Sequence, residues 1–286
     1  MNHIFLKNTL QDFVTSYAIK FQIVFVGSIV GLSLIGASSA QAVSMSLETA
    51  SNFAVLGGST VINTGLSIIT GDLGVNPGSA VTGFPPGLVV LPGTIHVADA
   101  VAIQAQADNQ VMYNYLAGLA STLDLTGQDL GGLTLTPGVY SFLSSAQLTG
   151  TLKLDSLGDP NALFVFQIGS ALTTASNSSV VTNDGSDYSN VFFQVGNSAT
   201  LGAGTQFQGN ILANRSITLN ANANIQCGRA LAQNGAVTLD TNNISTNCGP
   251  IQEVPEPFTT IGTLVGGIAA WQMSKKLKAD RKLSRF

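Results

Sequence analysis

Ionised side chains are scarce in this 286-residue chain, only 9% of which is Asp, Glu, Lys or Arg. Solubility must therefore rest on Ser, Thr, Asn, Gln and Gly. Basic residues nearly vanish from the body: Lys153, Arg215 and Arg229 are the only ones between residues 43 and 253. Twelve acids share that segment, so twelve negative charges against three positive ones leave a net −9. That balance argues against a nucleic-acid partner, because affinity for a phosphate backbone comes chiefly from Lys and Arg. Histidine is reduced to His3 and His96, which leaves the body no second imidazole to complete a metal site. Acids such as Asp72, Asp155, Asp159, Asp184 and Asp187 stand beside Gly, Pro, Ser or Asn, as turn residues do. The stretch NDGSD at residues 183–187 offers oxygen ligands for calcium, but a solvated loop is the simpler reading. No cofactor or metal is expected.

Hydrophobic residues, in contrast, make up 45% of the chain, enough to bury a core and to exclude a disordered protein. Both ends read as addresses. Lys20 precedes the apolar run FQIVFVGSIVGLSLIGA, and Ala40-Gln41-Ala42 then offers the small-x-small site of a signal peptide, so residues 1–42 are expected to be removed after Ala42. An uncleaved membrane anchor is the alternative. At the other end, Val254-Pro255-Glu256-Pro257 leads into an apolar stretch over residues 258–273 and then a basic tail. The stretch is short for a span of about 20 residues, and the basic tail would stay on the cytoplasmic side. Residues 250–286 resemble the PEP-CTERM sorting signal of bacterial exported proteins. That resemblance implies a membrane-embedded, exosortase-like sorting protease as partner, with the body left at the cell surface or in the extracellular matrix. A plain C-terminal membrane anchor is again the alternative. In an exported chain the even pair Cys227 and Cys248 favours a disulfide.

The body carries repeats. FQIGSALTT begins at Phe166, FQVGNSATL at Phe193, ILANRSITL at Ile211 and ALAQNGAVTL at Ala230. Their spacing, roughly twenty to thirty residues, is that of a β-solenoid coil. Side chains alternate faces along a strand, so Leu172, Ala199, Ile217 and Val237 share one inward position, with Leu201, Leu219 and Leu239 in the next. The outward residues then form two columns: Ala171, Ser198, Ser216 and Ala236, and beside them Thr173, Thr200, Thr218 and Thr238. With coils about 4.8 Å apart, these columns predict a flat lattice of methyl and hydroxyl groups almost free of charge. Such a surface suits an ordered water layer better than the shell around an ion, although exposed Thr is also what β-propensity alone would favour. No pair of acids falls on this face, as a carboxylate-based glycosidase would need.

Residues 98–123 lack Pro and have no Gly before Gly118, which predicts one helix. Its apolar Val101, Ala105, Val111, Tyr115 and Leu119 would cover the hydrophobic side of the solenoid.

The body resembles the ice-binding protein family of bacteria, fungi and polar algae. The likeness rests on LETASNFAVLGGSTVINTG, on Gly71-Asp72-Leu73-Gly74-Val75, on Thr136-Pro137-Gly138-Val139-Tyr140, and on Gly228-Arg229-Ala230-Leu231-Ala232-Gln233, and it covers almost all of residues 47–246. It implies a mainly β fold, a right-handed discontinuous triangular β-solenoid flanked by one long α-helix, over residues 43–249. It implies no enzyme, and ice as the partner of one flat face. Carried over by motif, the ice-contacting set is Ala171 with Thr173, Ser198 with Thr200, Ser216 with Thr218, and Ala236 with Thr238, joined by Ser59 from GGSTV. Arg215 departs from the pattern at the edge of that face. In such a solenoid Cys227 and Cys248 stack one coil apart, and their bridge would pin the terminal coil. The competing reading is a structural or adhesive matrix module binding polysaccharide, which exposed aromatics would favour; they are scarce here.

Overall fold

The computed structural model describes residues 46–182 and 188–248. The expected signal peptide, the Val254-to-Pro257 sorting motif with its apolar and basic tail, and the NDGSD stretch lie outside these residues.

Apolar residues at every second position give short strands, and Gly, Asn and Ser turns break them after three to five residues at most corners. Every strand pairing is parallel. Turns of chain stack along one axis, each contributing to three faces. Read from one end, the stacked turns comprise residues 123–135, 138–154, 164–182, 191–206, 210–226, 229–245, 53–70 and 72–90. The order is thus discontinuous: Val55 pairs with Ala230, Val61 with Val237 and Ile69 with Ile244. The first turns of the chain sit against its last.

That break explains the one α-helix among the described residues. After residue 97 the chain stands at one end of the stack and must begin its next strand, Leu123–Asp124, at the other. The strand at 95–97 lies one step beyond residues 72–75, so eight steps of ~4.8 Å make about 38 Å. The helix Ala100–Ala117 spans about 27 Å at 1.5 Å per residue, and residues 118–122 cover the remainder. Asp99 caps it, its side chain accepting the Ala102 N–H at 2.8 Å.

The interior is a stack of like residues. Phe166 pairs with Phe193, their rings 4.4 Å apart and nearly parallel, with Tyr140 and Phe207 continuing the column on either side. This is one half of the repeated Phe-Gln. The other half faces outward on the adjacent side: Gln167 Nε2 donates to the Leu116 and Leu119 carbonyls at 2.7 and 2.8 Å, satisfying the helix C-terminus. Beside it Val165, Phe192, Leu212, Leu231 and Leu56 point away from the interior and form a second core under the helix.

The helix does cover the hydrophobic side, but with a different stripe from the expected one. Its buried residues are Ala102, Ala105, Gln106, Asn109, Met112 and Leu116. Val101 and Val111 are 39% and 55% exposed, and Tyr115 and Leu119 are half-buried. Two amides in the true stripe disguise it, and both are there to bond: Gln106 Nε2 donates to the carbonyls of Asn76, Ala232 and Gln233, and Asn109 Nδ2 to Gln106 Oε1. Gln106 thereby satisfies strand-end carbonyls that an apolar helix face would leave orphaned, and Asn109 holds the Gln106 amide in place. The disulfide is as expected, joining Cys227 to Cys248.

Candidate functional site

One face is made of the strands Ala146–Leu148, Leu172–Thr174, Ala199–Leu201, Ile217–Leu219, Val237–Leu239, Thr60–Asn63 and Ala80–Thr82, in that order. The parity holds throughout. Leu172, Ala199, Ile217, Val237, Leu201, Leu219 and Leu239 are buried. Thr173 pairs with Thr200, Thr200 with Thr218 and Thr218 with Thr238, so four threonines stand in register on successive strands. Thr173 is exposed and the other three half-buried, as neighbours in a tight column must be. The adjoining column is held by the same ladder, Leu172 N–H donating to Ser198 O, Ala199 to Ser216 O and Ile217 to Ala236 O at 2.9 to 3.1 Å. Ala171, Ser198, Ser216 and Ala236 are all half-buried.

The columns run further than the repeats showed. Ile62 follows Thr238 and Thr82 follows Ile62, while Gln147 precedes Thr173 at the other end. In the adjoining column Thr60, paired with Ala80, takes the position beside Ala236. Ser59 is displaced from the place expected for it: it sits one residue earlier, in the turn, its N–H donating to Gly235 O. Two glycines before the strand left its starting point undetermined in the sequence. Ile62, at 38% exposure, puts an apolar group in the Thr column.

No ionisable side chain belongs to these columns. Arg215 is exposed in the turn before Ser216, and Asp240 lies just past Leu239. Arg229 is occupied elsewhere, donating to Ser51 O and Asn210 Oδ1 beside the 3₁₀ segment Glu48–Asn52. A chain of polar groups that resembles a catalytic arrangement does exist at the helix start. Thr94 Oγ1 is 2.7 Å from His96 Nε2, and His96 Nδ1 is 2.8 Å from Asp99 Oδ2. Asp99 is committed to capping the helix, and its carboxyl is held below the ordinary value chiefly by the Ala102 N–H and then by His96. Among the described residues no group of three or more His, Cys, Asp or Glu is placed to hold a metal ion.

Fold and face together define a class: a three-sided parallel solenoid with one lateral helix, presenting a regular, uncharged face of hydroxyl and methyl groups. The chain belongs to the ice-binding-like family, whose profile matches residues 55–245. It is 65% identical over 238 residues to an ice-binding protein of Nostoc sp. (strain HG1), covering 82% of this chain and 87% of that protein. An ice-binding protein of Leucosporidium sp. (strain AY30) is 33% identical over 232 residues, covering 74% of this chain and 87% of its own. The crystal structure of an ice binding protein from an Antarctic biological consortium superposes with a TM-score of 0.67 at 45% identity, covering 70% of this chain and 90% of that one.

Proposed function

We propose that this protein binds ice through the face centred on Thr173, Thr200, Thr218 and Thr238, together with Ala171, Ser198, Ser216 and Ala236. The observation that carries the reading is the in-register Thr column on four successive strands, flanked by a column of small residues and free of charge. The register extends the candidate set to Thr60, Ile62, Ala80 and Thr82. Each Thr methyl restricts the water beside it while each hydroxyl anchors it, and the resulting ordered layer merges with an ice plane. No bond is broken. Growth halts because ice bulging between adsorbed molecules has a curved front that melts more readily.

The reading also includes export and surface placement, supported by the apolar run ending at Ala42 and by the Val254-Pro255-Glu256-Pro257 signal with its basic tail. Amino-terminal sequencing of the exported protein beginning at Val43 would support the first. Cell fractionation that leaves the protein in the cytoplasm would refute both.

Inhibition of ice recrystallisation tests the central reading. Activity at micromolar concentration, lost on heat denaturation, is expected; a well-folded sample with none would leave the solenoid without this ligand.

A further inference from the structure

Beside the Ser and Ala column, at the corner where the chain turns onto the Thr face, lies a cleft of about 650 Å³. Asn197, Asn214, Asn234 and Arg215 line it, with Ser198 and Ser216 along its inner border. Arg215 is fixed at the backbone, its N–H donating to Asn197 O and its carbonyl accepting from Gly235, at 2.9 and 3.2 Å. Its guanidinium is exposed and makes no hydrogen bond or ion pair among the described residues. In the next turn, a Cβ on Gly235 would come within 2.4 Å of Ser216 Oγ, so the missing side chain keeps the cleft open beside Arg215.

The amides are preset. Asn234 Nδ2 donates to both Asn214 O and Asn214 Oδ1 at 3.0 Å, and Asn214 Nδ2 to Gly196 O at 3.3 Å. Their orientation is thereby fixed, one amide per turn of the stack, with Asn234 Oδ1 left as an acceptor. No carboxylate, aromatic or large apolar side chain contributes to the lining. A ligand here must therefore be polar on every side, and it must bring the negative charge.

We propose that this cleft is a subsite for a carboxylated sugar, a hexuronate unit of an acidic polysaccharide, with Arg215 on the carboxylate and the amides and hydroxyls on the ring hydroxyls. A guanidinium fork matches a planar carboxylate through two parallel hydrogen bonds. A neutral sugar would leave the guanidinium unused. An inorganic anion would occupy the guanidinium and leave the amides and most of the volume empty, small-molecule sites being typically about 300–1,000 Å³. The cleft shares Ser198 and Ser216 with the proposed ice face, but the groups that define it, Arg215 and the three Asn residues, lie outside that face, so variants at Arg215 and Asn234 separate the two readings.

The test is a titration of the uniformly ¹⁵N-labelled protein with glucuronate, glucose and inorganic phosphate at matched ionic strength, following the Asn side-chain amides and the Arg215 Nε–H by NMR. Saturable shifts at Asn197, Asn214, Asn234 and Arg215 with glucuronate, none with glucose, and binding of phosphate weaker by about tenfold are expected. R215Q should weaken glucuronate by about tenfold or more, the order expected for a lost charge-assisted pair, and R215K should restore only part of it. N234D, which places a negative charge in the cleft, should weaken glucuronate as well and serves if R215Q does not fold. Absence of saturable shifts, equal response to glucose, phosphate binding as tightly as glucuronate, or undiminished binding by both folded R215Q and N234D would each overturn the assignment.

Discussion

Thr218→Arg is the perturbation that most directly probes the proposed ice face. Thr218 stands between Thr200 and Thr238 in the column, and the four threonines span about 14 Å at ~4.8 Å per step. An arginine in that position stands several ångströms proud of its neighbours. A gap of only about 0.5–1 Å already forfeits roughly a quarter to a half of a van der Waals contact, so Thr200, Thr218 and Thr238 would all lose theirs. The activity should fall by more than about tenfold, equivalent to ~1.4 kcal/mol of adsorption free energy, and adding Thr238→Arg should abolish it. Folding should barely respond, within ~0.5 kcal/mol, because the replaced side chain is outward and outside the buried core. The control is Asn243→Arg, the same charge on a strand of another face, which should keep full activity. Recrystallisation inhibition across a concentration series, read beside thermal melting, measures both quantities. Undiminished activity in a folded Thr218→Arg, Thr238→Arg double variant would move the binding site to another face.

Other outcomes follow from the same structure. Replacing Cys227 and Cys248 with Ser opens a cross-link between residues 21 apart; the chain-entropy relation gives a loss of about 3 kcal/mol, visible as a lower denaturant midpoint. Two thiols titrating in the native, unmodified protein would contradict the bridge. Asp99, whose carboxyl is held low by the Ala102 N–H and then by His96, stabilises the helix start above the ordinary carboxylate range, and that support is lost as pH falls through its lowered value. The group is exposed, so the effect is small, but stability measured against pH should show an acid-side loss that Asp99→Asn lacks; identical profiles would dismiss it.

Much of the candidate face could be read from four segments because strand period and repeat spacing agree there. Thr173, Thr200, Thr218 and Thr238 follow buried Leu172, Ala199, Ile217 and Val237 with no insertion between them. The extension through Thr60, Ile62 and Thr82 was hidden by topology. Val61 and its partner Val237 are separated by most of the domain, and nothing local in GGSTVIN says which residue begins the strand. The helix misled for a different reason: counting apolar residues selects Val101 and Val111, whereas burial is decided by where Gln106 finds carbonyls to satisfy. The Gln of the repeated Phe-Gln likewise carried no sign of its task, since Gln167 bonds a helix end about fifty residues earlier.

The discontinuous stacking also governs the order in which this protein can be made. A linear repeat array can grow from its first unit, each new turn docking on the last. Here the strand Phe53–Gly57 has one neighbour, Asp72–Val75, close at hand, and the other, Asn224–Ala232, at the far end of the domain. The earliest turns to leave the ribosome must wait for almost the whole domain before their inner edge is covered. Closing such a long loop is a slow, nonlocal event. A chain stalled or cut before residue 229 would expose two raw sheet edges, one on each half, and each would be a template for pairing with another molecule.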